Sequence, residues 1–497
     1  MKFLAACLLL VPAALFAAEP PPAQSDSRPN IIFAEVDDLT AKYLSAFGGK
    51  GVSTPNIDKL AARGAVFDNG VVQGCMCAPS RNSLITARYP HQLGLYANSQ
   101  LDQLPAGIFS FPKALQQAGY TTAWIGKCHV LANEDGFSGT PSQKRDQAMK
   151  RNMGFDHVWQ SAGRHVAAKK AENAGKKGEW KYGLDAYADH LHDKGLMEQF
   201  LKDGVKPSSL GDDYLDSLIT RLSCDWIARR KAGDKPFFLW INWSAPHGPY
   251  NCAQSWLDAA ADKPSLPIIV EPDPKAVPAF LRPHLWSRNP RKTEEMRRQY
   301  NGMMSYIDSQ LGRVVQAIEA GKLGENTVIV FFSDHGIMNA DHGLDHKETL
   351  YKEVLNPALI VAGPGVKAGR VSRPVELIDL APTVLDLAQA PAGQRQLAQG
   401  ESLRPLLTGR GVYQRDFAVA EVEQASALVT AEYKLIEGLD GSRLLFDLKA
   451  DPDEIKNLAA AKPEVAAELS KKLAAWKAAA GPFVKVNPVK KGKDDGE

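Results

Sequence analysis

What the chain lacks narrows it first. Its 59 Lys and Arg nearly balance 57 Asp and Glu, for a formal charge of only +2, and the basic residues are scattered rather than gathered on one helix. That argues against a nucleic-acid partner, whose binding faces are strongly basic. There is no Cys-x-x-Cys pair, so the usual zinc-cluster spacing is missing. Internal repeats are absent, and so is any unbroken apolar run of the roughly 20 residues a membrane-spanning helix needs. Hydrophobic residues make up 44% and charged residues 23% of 497. That composition and length suit a globular chain with one large core and a smaller appended domain.

The longest apolar run, Phe3 to Ala18, follows a single lysine and precedes Glu19 and a proline-rich linker over residues 19–27. This is the pattern of a signal peptide, here 1–18, and the expected location is periplasmic or secreted, with no transmembrane segment. Beyond it lie Cys75, Cys77, Cys128, Cys224 and Cys252, an odd number where export permits disulfides. One must stand apart, and the other four could pair in three ways.

Asn30 to Val36 reads as a buried strand that stops at Asp37 and Asp38. The same grammar recurs at Pro236 to Trp243, which runs on to His247, and at Thr327 to Phe332, which runs on to Asp334 and His335. Between them lie helical patterns at Phe111–Gly119 and Met296–Gly321. Alternating strands and helices predict an α/β fold with a large central, mostly parallel sheet flanked by helices, whose ligands sit beyond the carboxyl ends of the strands. One polar strand end alone is usually a solvated turn; three that deliver carboxylates and histidines together suggest a site. Past Gly409 come short alternating strands and a terminal helix from about Pro463 to Ala479. The expected organisation is a catalytic domain over 28–409, a small antiparallel subdomain over 410–485, and a polar tail over 486–497.

The run Cys77-Ala-Pro-Ser-Arg81 places a cysteine ahead of a proline suited to a first helical turn, and so at a helix N-terminus. Free backbone N–H groups and a partial positive charge there favour an anionic ester. Together with the following Ser-Leu-Ile-Thr-Ala-Arg, this run resembles the signature of the type I, formylglycine-dependent sulfatases of the alkaline phosphatase superfamily. The resemblance spans roughly residues 28 to 460. It implies an alkaline phosphatase-like fold, hydrolysis of a sulfate ester, and oxidation of Cys77 to formylglycine (3-oxoalanine) by a transient partner, a formylglycine-generating or anaerobic sulfatase-maturating enzyme. The hydrated aldehyde explains why an ordinary hydroxyl would not serve. Once one of its oxygens carries sulfate, deprotonating the other expels sulfate by C–O cleavage and restores the aldehyde.

The same resemblance implies a calcium ion, or less often magnesium, on Asp37, Asp38, Asp334 and residue 77. Hard carboxylate oxygens suit either ion. For His335 it leaves two roles open, metal ligand or substrate contact. Gly126-Lys127-Cys128-His129 matches a motif in which Lys127 contacts sulfate and His129 assists its release, and His247 and Lys347 match positions that touch the ester oxygen and can protonate the leaving alcohol. Arg81, four residues after Cys77 on the same helix, is expected to face the site and neutralise charge. His342 and His346 read as surface groups. A basic stretch from Lys169 to Lys181, with Trp180, reads as a surface for a sulfated carbohydrate substrate, and residues 130–235 and 251–295 as the pocket rim. The alternative activity is hydrolysis of phosphonate monoesters or phosphodiesters by the same formylglycine chemistry.

Overall fold

The three apolar runs read from the sequence become neighbouring strands of one sheet: β1 (Asn30–Val36), β6 (Phe237–Asn242) and β7 (Thr327–Ser333). The computed structural model describes residues 27–98, 100, 103–175, 180–261, 266–269, 277–286 and 289–481; residues 1–18, read above as a signal peptide, and the tail 486–497 lie outside them. Five further strands complete the sheet: β2 (Gly64–Phe67), β4 (Thr121–Lys127), β5 (His157–Ser161), β8 (Leu359–Ala362) and β9 (Gly369–Val371). Their order is β5-β4-β6-β1-β7-β8-β2-β9, and only β8 runs against its neighbours. β3 (Gly70–Val71) and β10 (Val375–Glu376) form a separate parallel pair.

Every residue of β1, β6 and β7 is buried, because helices cover both faces of the sheet. The two-residue strand period divides them cleanly. Ile31, Phe33, Phe238, Trp240, Val330 and Phe332 enter one core with helices 111–117 and 380–387. Ile32, Ala34, Leu239, Ile241, Ile329 and Phe331 enter the other with helices 215–228 and 290–320. The long helix begins at Pro290, earlier than its apolar pattern suggested, with Asn289 capping the Arg291 N–H.

The C-terminal residues form a four-stranded antiparallel sheet, β11 (Phe417–Val422), β12 (Ala425–Thr430), β13 (Tyr433–Gly438) and β14 (Arg443–Asp447), followed by helix Pro463–Ala479. One face, with Ala420, Ala427, Ile436 and Phe446, joins the main core. The other, with Val419, Leu428, Leu435 and Leu445, is covered by Leu469 and Leu473 of the terminal helix. The small sheet is therefore wedged between helix and main domain.

No pairing of the cysteines is found: Cys75, Cys77, Cys128, Cys224 and Cys252 are all free thiols. Cys75 and Cys252 are buried in cores on opposite faces of the sheet, and Cys224 donates to the Arg313 carbonyl at 3.7 Å. No helix among the described residues is long and apolar enough to cross a membrane.

Phe33 meets Phe111, Phe238, Trp240 and Phe332 at ring-centroid distances of 5.1–5.8 Å, the aromatic centre of the sheet. Phe33→Ala should destabilise the protein by about 3–5 kcal/mol, seen as a lower midpoint in thermal or urea unfolding.

Candidate active site

Four adjacent strands, β4-β6-β1-β7, deliver polar residues at one edge of the sheet. Lys127 ends β4 and His129 follows; Asn242 ends β6 and its chain continues to His247; Asp37 and Asp38 follow β1; Asp334 and His335 follow β7. β4 was not among the strands read from the sequence. It lies against β6 only because residue 126 is glycine, with φ +132°, where a Cβ would come within 2.0 Å of the Asn242 carbonyl oxygen. Helix Cys77–Thr86 sets its first residue over this edge, and Ser80 Oγ ties it down by donating to the Asp334 carbonyl at 2.6 Å.

Cys77 Sγ is the point of convergence. It lies 3.3 Å from Asp37 Oδ1, 3.3 Å from His335 Nε2, 3.4 Å from Lys347 Nζ and 3.8 Å from Lys127 Nζ. Lys347 Nζ is also 3.1 Å from Asp38 Oδ1, and Lys127 Nζ pairs with Asp37 Oδ2. His335 Nδ1 is 3.0 Å from the Gly336 carbonyl, so it donates there. By the same reasoning His247 Nδ1 donates to the Gly248 carbonyl at 2.7 Å, and its Nε2 lies 3.7 Å from Asp38 Oδ2. His129 is half-buried with no hydrogen-bond partner at Nδ1.

Arg81 does turn toward the site, but its charge goes to the carboxylates. Nε donates to Asp334 Oδ2 at 2.9 Å, Nη1 donates to Asn242 Oδ1 at 3.0 Å and sits 3.2 Å from Glu35 Oε1, and Nη2 is 3.7 Å from Asp37 Oδ2. Burial would raise the Asp37 carboxyl; Lys127, His247, Arg81 and Lys347 outweigh it and hold the group well below the usual range. For Asp38 burial prevails over Lys347 and His335, and the value rises to about 6. Burial pushes the Cys77 thiol well up, with Asp37 adding to it, and pushes His129 and His247 well below their ordinary value, aided by Lys127. Both histidines are thus neutral proton acceptors.

Several working residues escaped the sequence reading. Glu35, inside β1, is buried beside Arg81, donates nothing and accepts from Trp240 Nε1 at 2.6 Å; burial lifts it to about 8 against the pull of Arg81. An acid within an apolar strand was the available signal. Asn82 accepts from Leu131 N at 2.9 Å and donates to the carbonyls of Ala78 and His129 at 2.7 and 2.8 Å, joining the His129 loop to the Cys77 helix. Asp216 accepts from the N–H groups of Ser244 and Ala245, and Arg164 donates to the His247 carbonyl at 2.7 Å, which fixes the loop after β6. Nothing local in the sequence marks these last two.

Two readings need correcting. His342 is not a surface group: it is buried, stacked on Tyr351 with ring centroids 4.2 Å apart, while His346 is exposed. Trp180 is not an open platform either, since its ring stacks on His192 at 4.7 Å and its N–H is donated to Asp189. Lys176 and Lys177 lie outside the described residues.

Two overlapping sets of ligand atoms could hold a cation: Asp37, Cys77, Asp334 and His335, or Asp37, Asp38, Cys77 and His247, each within 4.8 Å. Asp38 Oδ1 is buried, with Lys347 Nζ at 3.1 Å and His335 Nδ1 at 3.2 Å. Asp37 is common to both sets, with Asp334 beside it in one and Asp38 in the other, and such carboxylate oxygens fit a hard divalent ion.

The sulfatase family model matches residues 29–390, nearly three quarters of the chain. The chain belongs to the sulfatase family. This sulfatase, a hydrolase of sulfate esters, also matches the N-sulphoglucosamine sulphohydrolase C-terminal model over residues 340–479. It is 28% identical to an N-acetylglucosamine-6-O-sulfatase of Bacteroides thetaiotaomicron, over 92% of this chain and 88% of the relative. A protein solved with its substrate D-glucosamine-2-N,6-O-disulfate shares the fold at TM-score 0.71 and 22% identity, over 94% of this chain and all of the other. The phosphonate monoester hydrolase of Agrobacterium radiobacter shares it at TM-score 0.73 and 19% identity, over 91% and 96%. These likenesses confirm the alkaline phosphatase-like architecture expected from the sequence.

Because Asn82 links the His129 loop to the Cys77 helix by two hydrogen bonds, to the His129 carbonyl and from the Leu131 N–H, Asn82→Ala should lower kcat by about 10-fold or more. Steady-state assay on an aryl sulfate, beside a thermal melt to show that the protein is folded, checks this.

Proposed function

We propose that the enzyme is an exported sulfatase acting on a sulfated carbohydrate, with formylglycine at position 77 and a calcium ion on Asp37, Asp38, Asp334 and residue 77. The observation that carries this reading is the convergence of Lys127, Lys347, His335 and Asp37 on Cys77 Sγ at 3.3–3.8 Å. Such a constellation offers positive charge to an anionic ester from several sides. The names of the relative and of the bound disulfated glucosamine support a sugar substrate, and the segment 1–18 supports export to the periplasm or beyond. A maturation enzyme would be the transient partner that converts Cys77.

When present, the formylglycine hydrate supplies the nucleophilic oxygen and a second hydroxyl whose deprotonation releases sulfate. The divalent cation would offset charge on the sulfate oxygens, and calcium, tolerant of irregular coordination, fits this set better than magnesium. The chain's own groups do the rest. Lys127 and Lys347 hold the sulfate charge, and neutral His129 accepts a proton during sulfate release. The proton for the leaving alcohol falls to the Lys347 ammonium, because neutral His247 presents an acceptor at Nε2. His247 Nε2 is then left to accept a hydrogen bond from a sugar hydroxyl beside the ester. Arg81 keeps the carboxylates together from behind, and His335 Nε2 can meet either the cation or the residue 77 oxygen.

A second reading, phosphonate monoester or phosphodiester hydrolysis, has the fold of the Agrobacterium enzyme in its favour. Matured protein should turn over nitrophenyl sulfate and sulfated mono- and disaccharides well ahead of phenyl phosphonate, and Cys77→Ala should abolish turnover. Faster phosphonate cleavage would reverse the assignment, and an unmodified Cys77 mass in active protein would end the formylglycine reading. Exhaustive chelation should also cut activity and calcium should restore it, whereas full turnover by metal-free enzyme would remove the ion from the scheme.

A further inference from the structure

Lys347 arrives at the site on an unusual piece of backbone. Between β7 and helix Lys352–Leu355, six non-glycine residues, Asn339, Ala340, His342, His346, Glu348 and Leu350, have φ between +48° and +70°. L side chains rarely adopt that region, so the surrounding structure must impose it. On one side the grip comes from the main domain. Arg297 Nε donates to the Asn339 carbonyl at 2.8 Å and Nη2 to Asp341 Oδ1 at 2.6 Å, and Lys42 Nζ joins Asp341 to Glu353.

On the other side it comes from the C-terminal sheet. Lys434, the second residue of β13, is 1% exposed. Its Nζ donates to the Leu350 carbonyl at 2.8 Å and pairs with Glu454 Oε2, which also accepts from the Lys352 N–H at 3.1 Å. The same ammonium lies 5.7 Å from the centre of the Tyr351 ring, which also stacks on His342. One buried cation thus fixes residues 350–352, three to five positions after Lys347, and reaches the middle of the loop through Tyr351. A buried Lys–Glu pair is a poor stabilising device, since apolar residues of the same size generally serve as well or better. Holding a loop whose conformation is otherwise unfavourable is a task that apolar residues could not perform, because they cannot donate to the Leu350 carbonyl.

We propose that Lys434 and Glu454 are positioning residues for Lys347, so that the C-terminal subdomain is a working part of the active site. This rests on the reading that Lys347 acts on the sulfate ester. The test is a cycle on full-length matured enzyme with nitrophenyl sulfate: wild type, Lys434→Met with Glu454→Gln, Lys347→Ala, and all three changes together. Met keeps the four-atom stem of the lysine without its ammonium, and Gln keeps an acceptor for Lys352 N–H. The paired change should lower kcat by about 10- to 100-fold with KM altered less than about threefold, since misplacing a catalytic group by about an ångström has that scale. In the Lys347→Ala background it should add no more than about twofold, the non-additivity of residues acting through one another. Lys434→Arg, which keeps the buried charge pair, guards against misfolding and should show a smaller loss with the same dependence on Lys347. Unchanged kcat, or losses that multiply in the Lys347→Ala background, would overturn the proposal alone. Wild-type kcat in Lys347→Ala would overturn it together with the role given to Lys347.

Discussion

Four carboxylates, Glu35, Asp37, Asp38 and Asp334, are buried at the carboxyl edge of two adjacent strands, and the rest of the site follows from that crowding. Two like charges about 4 Å apart repel by roughly 4 kcal/mol at an effective dielectric of about 20, so such a group is tolerable only with compensating charge. Arg81 spans Glu35, Asp37 and Asp334 from behind, Lys127 meets Asp37, and Lys347 meets Asp38. Even so, Glu35 is lifted to about 8 and Asp38 to about 6, burial being the main cause of each. The divalent cation proposed for these carboxylates would add compensating charge and free both lysines to face an anionic substrate.

The sheet makes this crowding possible by holding it rigid. β1 and β7 are parallel neighbours in register over seven residues, so Asp37 and Asp334 leave the sheet side by side. β6 and β4 continue the edge on the other flank, with Gly126 allowing close approach and Asn242 meeting Arg81. Loops that leave such an edge have little freedom once tied. Asn82 ties the loop after β4, Asp216 and Arg164 tie the loop after β6, and the loop after β7 is held between Arg297 and Lys434. Each tie comes from a helix or strand distant in sequence, which places catalytic groups on a scaffold rather than on mobile segments.

The parts legible in the sequence were those whose signal is local. Uninterrupted apolar runs identified β1, β6 and β7, and the 3.6-residue pattern identified the long helix to within a turn at its C-terminal end. Cys77-Ala-Pro-Ser-Arg81 marked a helix start, because a proline in a first turn has few other places to go. What stayed hidden depends on contacts across the chain. Glu35 sits in a strand that otherwise reads as pure core, and its partner is 46 positions away. His342 looked like one more polar residue in a polar loop, while its burial is decided by Tyr351 and Glu353 folding over it. The spare cysteines were open to pairing on count alone, and their separation into different packed environments could only be seen in three dimensions.

Those environments also bear on the proposal that the cysteine at position 77 is a precursor. Nucleophilic cysteines rely on the thiolate, favoured by an electropositive, partly exposed setting. Cys77 has two lysines close by, yet burial and the neighbouring Asp37 push its thiol well above the ordinary value. A carboxylate 3.3 Å from the sulfur opposes a thiolate and would instead accept a hydrogen bond from a hydroxyl. His335 Nε2 lies at the same distance from another direction. A carboxylate acceptor, an imidazole and two ammonium donors around one atom match the needs of an oxygen that carries a proton and receives hydrogen bonds better than those of sulfur, a weak partner in both senses. The surroundings of Cys77 are thus complementary to the hydrated aldehyde proposed for it, and the helix that begins there supplies the remaining positive potential.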